Sequence, residues 1–159
     1  MRIGTPSDAA LLAREAERMF RDAFAATNDA AQMDAYCASA YGESIQRGEI
    51  QARDARVYLL EGEEGLVAYA QLWLRVPESV IWRFYVDRAH HGRGVAQRLM
   101  DTCLDAARAA GARRVSLAVW EHNPRAVAFY RKCGFEVTGS QPFVLGTEPQ
   151  TDWVMTRAL

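Results

Sequence analysis

The sequence predicts an α+β fold built on a mixed, mostly antiparallel sheet with helices against its faces. Three observations carry this. The apolar residues change from helical spacing to alternation near residue 55. A short turn, Gly62-Glu63-Glu64-Gly65, joins two β-rich runs as an antiparallel hairpin. A long amphipathic helix then separates two further strands, the pattern of a parallel crossover in the middle of the sheet. Too few helices connect the strands for a doubly wound fold.

The expected order is strand, two helices, three strands, helix, strand, helix, two strands. Thr5-Pro6 with Asp8 reads as a helix start, because proline suits the first helical position and an acid suits the first turn. Leu11, Leu12, Met19, Phe20 and Phe24 then recur at helical spacing to about Ala26. A second helix is expected over Ala30–Tyr41, while Gly42 to Asp54 is polar and receives no assignment. Strands follow at Arg56–Glu61, Leu66–Leu74 and Val80–Val86. Gly94–Ala110 is a helix with Val95, Leu99, Cys103 and Ala106 or Ala107 on one face, stopped by Gly111. Arg114–Trp120 alternates as a strand. Asn123 caps a helix that opens on Pro124 and ends at Gly134-Phe135. The last two strands fall within Phe135–Leu145 and at Asp152–Arg157.

The 159 residues suit a single domain over 1–159 with a substantial core, since half of them are apolar. A net charge of −1 with interspersed signs gives no basic face for nucleic acid. Cys37, Cys103 and Cys133 are odd in number and widely spaced, which argues against a disulfide framework and against a zinc site. Cys103 and Cys133 read as buried, inert thiols. Asp8 precedes any apolar run, and no run approaches the ~18 apolar residues of a membrane span. The expectation is therefore a cytoplasmic protein with no membrane partner, and Trp73, Trp82, Trp120 and Trp153 are assigned to core or pocket wall.

The sharpest local feature is a strand ending at Val86, a short loop, and then Gly92-Arg93-Gly94-Val95-Ala96 at the start of a helix. The first N–H groups of a helix lack intrahelical partners, and the helix dipole adds positive potential there. Glycines let that backbone approach an anion closely. Taken alone the turn is equally a simple strand-to-helix connection. It is neither a P-loop, which needs Gly-Lys-Ser/Thr, nor a dinucleotide fingerprint, whose third glycine would fall at Gln97.

His91-Gly92-Arg93-Gly94-Val95-Ala96, preceded by Arg83-Phe84-Tyr85-Val86, resembles the coenzyme-A signature of the GNAT acetyltransferase superfamily. It departs from that signature at His91, where glutamine or arginine is commoner. About thirty residues on, Asn123-Pro124-Arg125-Ala126 and Phe129-Tyr130 through Gly134-Phe135 resemble the superfamily's second motif position by position.

The resemblance implies a GNAT fold with a central parallel pair of strands splayed around the cofactor, acetyl-CoA, and no metal. It implies direct attack of an amine on the acetyl thioester in a ternary complex. Phe84, Tyr85 and Val86 would pair with the pantetheine arm, and the Val86 N–H would polarise the thioester carbonyl. His91 and Gly92 to Ala96 would hold the pyrophosphate, with Asn123 and Phe129 also against the cofactor. Tyr130 would be the general acid for the departing thiolate, because a phenol is neutral at working pH and donates. Many relatives carry a glutamate three residues before the arginine matching Arg83. Here that position is Val80, which leaves Glu78, Glu121, Glu49 or a water chain as the base.

Met19–Phe24 with Asn28, Met33 and Tyr36, and the late Phe143–Gly146 and Gln150–Asp152, resemble the bacterial PaiA-type polyamine acetyltransferases. That similarity implies spermidine or spermine as the small-molecule acceptor. A peptide or protein N-terminus, another small amine, and a non-catalytic CoA-binding sensor domain stay open beside it. The resemblance also allows a homodimer, formed through the final strands or the hairpin edge.

Overall fold

The change of period at residue 55 separates a helical N-terminal third from the strands that follow. The computed structural model describes residues 1–63 and 65–159. After β1 (Arg2–Ile3), a 3₁₀ turn at Pro6–Asp8 leads into α1 (Ala9–Phe24), then α2 (Ala30–Ala40) and α3 (Glu43–Gln51). The strands β2 (Ala55–Gly62), β3 (Gly65–Trp73) and β4 (Glu78–Val86) come next, then α4 (Val95–Ala109) and β5 (Arg114–Trp120). The chain closes with α5 (Pro124–Lys132), β6 (Glu136–Leu145) and β7 (Glu148–Ala158).

These strands make one sheet in the order β1-β2-β3-β4-β5-β7-β6. Every pairing is antiparallel except β4 with β5, as the crossover through α4 requires. The expected hairpin joins β2 to β3, with Gly62 opposite Gly65; Glu64 of that turn lies outside the described residues. Among the described residues, no helix is long and apolar enough to cross a membrane.

Two apolar layers cover the sheet. On one face, Leu99, Met100, Cys103 and Leu104 of α4 pack on Val115, Leu117 and Met155. On the other, Leu12, Met19 and Phe20 of α1 and Met33 of α2 pack on Leu59, Tyr69 and Leu145. The three cysteines are buried and unpaired, and burial pushes the Cys103 thiol up to about 12. Burial of this kind disfavours the reactive thiolate.

Two expectations are corrected. The helix placed from Pro6 begins as a 3₁₀ turn, where the Asp8 carboxylate accepts from the Thr5 N–H at 2.7 Å and from Arg2. The unassigned stretch Gly42 to Asp54 contains a helix, α3. Its core position is held by a polar residue, Gln46, which is 1 % exposed and donates to the Ala40 carbonyl at 3.1 Å. A buried glutamine satisfied by tertiary partners leaves no apolar stripe to read.

The two sequence-predicted helix stops are built as expected. Gly134 has φ +83°, and the Phe135 N–H donates to the Tyr130 carbonyl while the Gly134 N–H donates to that of Arg131. This is a Schellman end, and it fixes the last turn of α5, where Tyr130 sits.

The β6–β7 hairpin folds back over the helical layer. Its tip is pinned by the Gln32 side-chain oxygen, which accepts from the Thr147 N–H at 2.6 Å, and by Gln150 donating to Asn28 at 2.6 Å. Gly146 makes that approach possible. Its φ is +61°, and a Cβ there would collide with the Gln32 side chain and stand 3.0 Å from its Cα. Gly146→Ala is expected to cost about 1–3 kcal/mol from the left-handed backbone alone. Denaturant unfolding of the two proteins measures it, and equal midpoints would show that the tip does not hold this contact.

Candidate functional site

β4 and β5 pair only from Glu78↔Arg114 to Ile81↔Leu117, and beyond that point they part. The register of β4 against β3 slips at the same level, with Gln71 opposite Arg83 and Leu72 opposite Ile81, so Trp82 is an extra, bulged residue. A bulge bends and twists its strand, which turns the second half of β4 away from β5. Trp82 is left 58 % exposed in the opening. Two spaces adjoin the gap, a cleft of about 850 Å³ and a smaller chamber of about 400 Å³. They share a wall of Phe24, Ile81, Trp82, Arg83, Tyr85, Leu117 and Ala118.

The cleft collects most of the residues singled out by the two motifs. Phe84, Tyr85, Val86, His91, Gly92, Gly94, Val95, Ala96, Asn123, Phe129 and Tyr130 all line it. Arg93 is the one residue of the turn that does not. Gly92 and Gly94 have φ +76° and +75°, and a Cβ on either would meet nothing within 4 Å, so both expose bare backbone. Gly94 caps α4 in the left-handed conformation, presenting the unpaired N–H groups of the first helical turn. Arg88, Arg125 and Lys132 add positive charge to the same walls.

The strand wall is polar along its edge. The Asp87 N–H donates to the Val67 carbonyl at 2.8 Å, on the β3 side. Alternation along a strand therefore turns the N–H and C=O of Val86 toward the gap. The His91 Nε2–H donates to that Val86 carbonyl at 2.9 Å, and burial lowers the pKa of the ring. This gives the residue at the departing signature position a role in tying the turn to the strand.

Tyr130 is 8 % exposed, packed edge-on to Phe84 at 6.1 Å and Phe135 at 6.1 Å and tilted on Phe129 at 5.5 Å. Burial pushes its phenol well above the ordinary value, so it remains a neutral donor. Asn123 caps α5, its side-chain oxygen accepting from the Ala126 N–H at 3.1 Å.

The acids fall in different places. Glu49 lies outside both spaces, paired with the buried Arg83; burial pushes its carboxyl up against the pull of that guanidinium. Arg83 also donates to the Ala40 carbonyl at 3.0 Å and stacks over Tyr41 at 5.0 Å. Glu78 is on the chamber wall but paired with Arg114, and Ser116 and Arg114 hold its carboxyl below its usual range. Glu121, at the end of β5, lies 3.8 Å from His122 and lines neither space. Thus the structure gathers none of the three around a common point.

Asp152 was named in the PaiA-like stretch Gln150–Asp152 but not among the candidate bases. It lines the chamber from β7, opposite Trp120 of β5 and Gln141 of β6. Burial and the nearby charge of Glu121 push its carboxyl up to about 6. The signal in the sequence was a lone acid in the otherwise apolar run Asp152-Trp153-Val154-Met155. Arg125 and Lys132 were equally legible, standing seven residues apart on the helix face that carries Phe129.

The profile of the Acetyltransferase (GNAT) family matches residues 13–135, most of the chain and both motifs. The chain belongs to this family. An uncharacterised N-acetyltransferase of Mycobacterium bovis is 39% identical over 95 residues, which cover 59% of this chain and 61% of that protein. The chain thus spans less than two thirds of the length of that curated relative. Among solved structures, the PaiA N-acetyltransferase of Thermoplasma acidophilum, crystallised with coenzyme A, superposes with a TM-score of 0.84 at 17% identity over the whole of both chains. A spermidine N-acetyltransferase SpeG chimera from Vibrio cholerae and hSSAT superposes at 0.69 with 19% identity, covering 99% of this chain and 94% of that one. At these identities the structural likeness shows the fold, a GNAT sheet with one parallel pair.

Proposed function

We propose that the protein is an acyl-CoA-dependent N-acetyltransferase that moves the acetyl group of acetyl-CoA to a primary amine. The observation that carries this is the grouping of motif residues at the β4–β5 splay. The glycine turn, the polar edge of β4 and the Tyr130 phenol meet there on the walls of the cleft, and the chamber behind has room for a small acceptor. Bound acetyl-CoA supplies an acetyl thioester open to direct attack by nitrogen.

The bare backbone at Gly92 and Gly94 and the first turn of α4 fit the pyrophosphate, with Arg88, Arg125 and Lys132 as further phosphate partners. The edge groups of Phe84 and Val86 hold the pantetheine amides, and the Val86 N–H donates to the thioester oxygen. Tyr130 protonates the departing sulfur. The finer reading of the acceptor is a polyamine such as spermidine or spermine. It is supported by the likeness to the PaiA and SpeG structures and by the acids Glu78 and Asp152 on the chamber wall.

Thiol release from acetyl-CoA with spermidine, spermine, amino acids and short peptides tests the reading. Fast turnover with a polyamine is expected. Turnover only with peptides would move the acceptor to a protein N-terminus, and CoA binding without turnover would leave a CoA-binding module. The turn has its own test. Gly94→Val forces a branched side chain into a left-handed cap at the cleft wall and is expected to weaken CoA binding about tenfold or more. Calorimetric titration with CoA measures it, and unchanged affinity would remove the turn from the cofactor site.

A further inference from the structure

The smaller chamber lies on the α1–α2 side of the splayed strands, and it is built mainly of rings. Phe24, Tyr36, Tyr85, Trp120 and Phe143 stand around it, and Asp152 enters from β7. The alternation of β7 explains the placement: Trp153 and Met155 face the α4–α5 core, which turns Asp152 and Val154 to the opposite side. Glu78, the other carboxylate on the wall, is paired with Arg114, and the chamber's arginine, Arg83, is paired with Glu49.

Asp152 is different, because only burial and the negative charge of Glu121 act on it, and no cation compensates it among the described residues. A half-buried carboxylate without a counter-ion among aromatic rings is costly in an empty protein. It becomes favourable when a ligand brings the missing positive charge, and the faces of the surrounding rings attract the same charge.

On the acetyl-transfer reading above, we propose that Asp152 receives the ammonium group of the acceptor in this chamber and takes the proton that frees its nitrogen for attack. The acceptor is then a primary amine on a hydrocarbon arm, without a carboxylate beside the nitrogen. The rings hold the methylenes, and an α-carboxylate would face Asp152 and Glu78. The proton count closes. Of the three ammonium protons, Asp152 takes one and passes it to solvent, and one stays on the amide as the N–C bond forms and the C–S bond breaks. The third replaces the proton that Tyr130 gives to the sulfur.

Burial and Glu121 at the end of β5 push the Asp152 carboxyl up, and Asp152 in turn raises the phenols of Tyr36 on α2 and Tyr85 on β4, with Gln141 opposite on β6. Its carboxyl, raised to about 6, gives a wild-type kcat/KM that climbs with pH through that region.

The test compares wild type with Asp152→Asn, using spermidine, 2-phenylethylamine and L-phenylalanine. Binding to the CoA complex is measured by calorimetry, so that no turnover is needed, and CoA affinity reports intact folding. Wild type is expected to bind at least one of the first two amines and not L-phenylalanine. Asp152→Asn should lose about tenfold or more of that affinity and the kcat/KM limb near pH 6, with CoA affinity kept. Unchanged amine affinity and pH profile in the variant would overturn the proposal, as would a wild type that binds L-phenylalanine as well as the two amines or binds none of them. If wild type binds an amine through Asp152 but releases no thiol with any acceptor, acetyl transfer fails while the ammonium site stands.

Discussion

Tyr130→Phe is expected to lower kcat about a hundredfold while leaving CoA affinity nearly unchanged. The substitution removes one oxygen and keeps the ring, so the packing on Phe84, Phe129 and Phe135 persists. What is lost is a neutral donor on the cleft wall, kept protonated by its burial. A thiolate that leaves without a proton is a poor leaving group, so the deficit belongs in the chemical step. It should lower kcat and kcat/KM together. Steady-state kinetics with a calorimetric CoA titration separates the two effects. Full activity in the variant would refute the assignment and return Tyr130 to the core, where its burial also places it.

The largest loss of stability is expected from Arg83→Leu. From the central strand β4, Arg83 reaches the Glu49 carboxylate on α3, the Ala40 carbonyl at the end of α2, the Gln46 side chain at 3.3 Å and the Gln71 side chain of β3 at 3.5 Å. Its side chain is 9% exposed and that of Glu49 17%. Leucine fills much of the volume but strands the Glu49 carboxylate and leaves the Ala40 carbonyl with Gln46 as its remaining donor. Removing one partner of a buried pair costs about 3–5 kcal/mol, a large share of the total stability of an ordinary domain. Denaturant unfolding measures this, and adding Glu49→Leu should restore much of the loss, because the second substitution removes the stranded charge. A single variant as stable as wild type would mean that Glu49 finds water when Arg83 is gone. The same pair ties α3 to β4 and keeps Glu49 outside the chamber.

Local signals were read well where local physics decides. The glycines at 92, 94, 111 and 134 all have positive φ, and each stands at a helix end that the sequence marks. Pro124 after Asn123 fixed the start of α5, and the alternation of Val115, Leu117 and Val119 placed β5 in the core. Helix α3 was hidden because its core contact is Gln46, a polar residue whose burial is satisfied by the Ala40 carbonyl at the end of α2 and by Arg83, 37 residues on. Trp82 read as a core or wall residue. That it is a bulge at the point where two strands part depends on the register of β3 against β4, which no short window of sequence encodes.

The sequence by itself determined the class of fold, the family and the left-handed glycine turn before α4, because each rests on spacing within one helix, strand or turn. Tertiary structure alone decided the fate of the acids. Glu78, Glu121 and Glu49 are alike as letters, yet one is neutralised by Arg114, one stands at a strand end beside His122, and one is locked to Arg83. Asp152, 69 positions from Arg83 in the chain, shares a chamber with it and has no counter-ion there. The physical reason is that a carboxylate's charge, proton affinity and reach are set by burial and by neighbours brought from elsewhere in the chain, and those exist only once the sheet has closed.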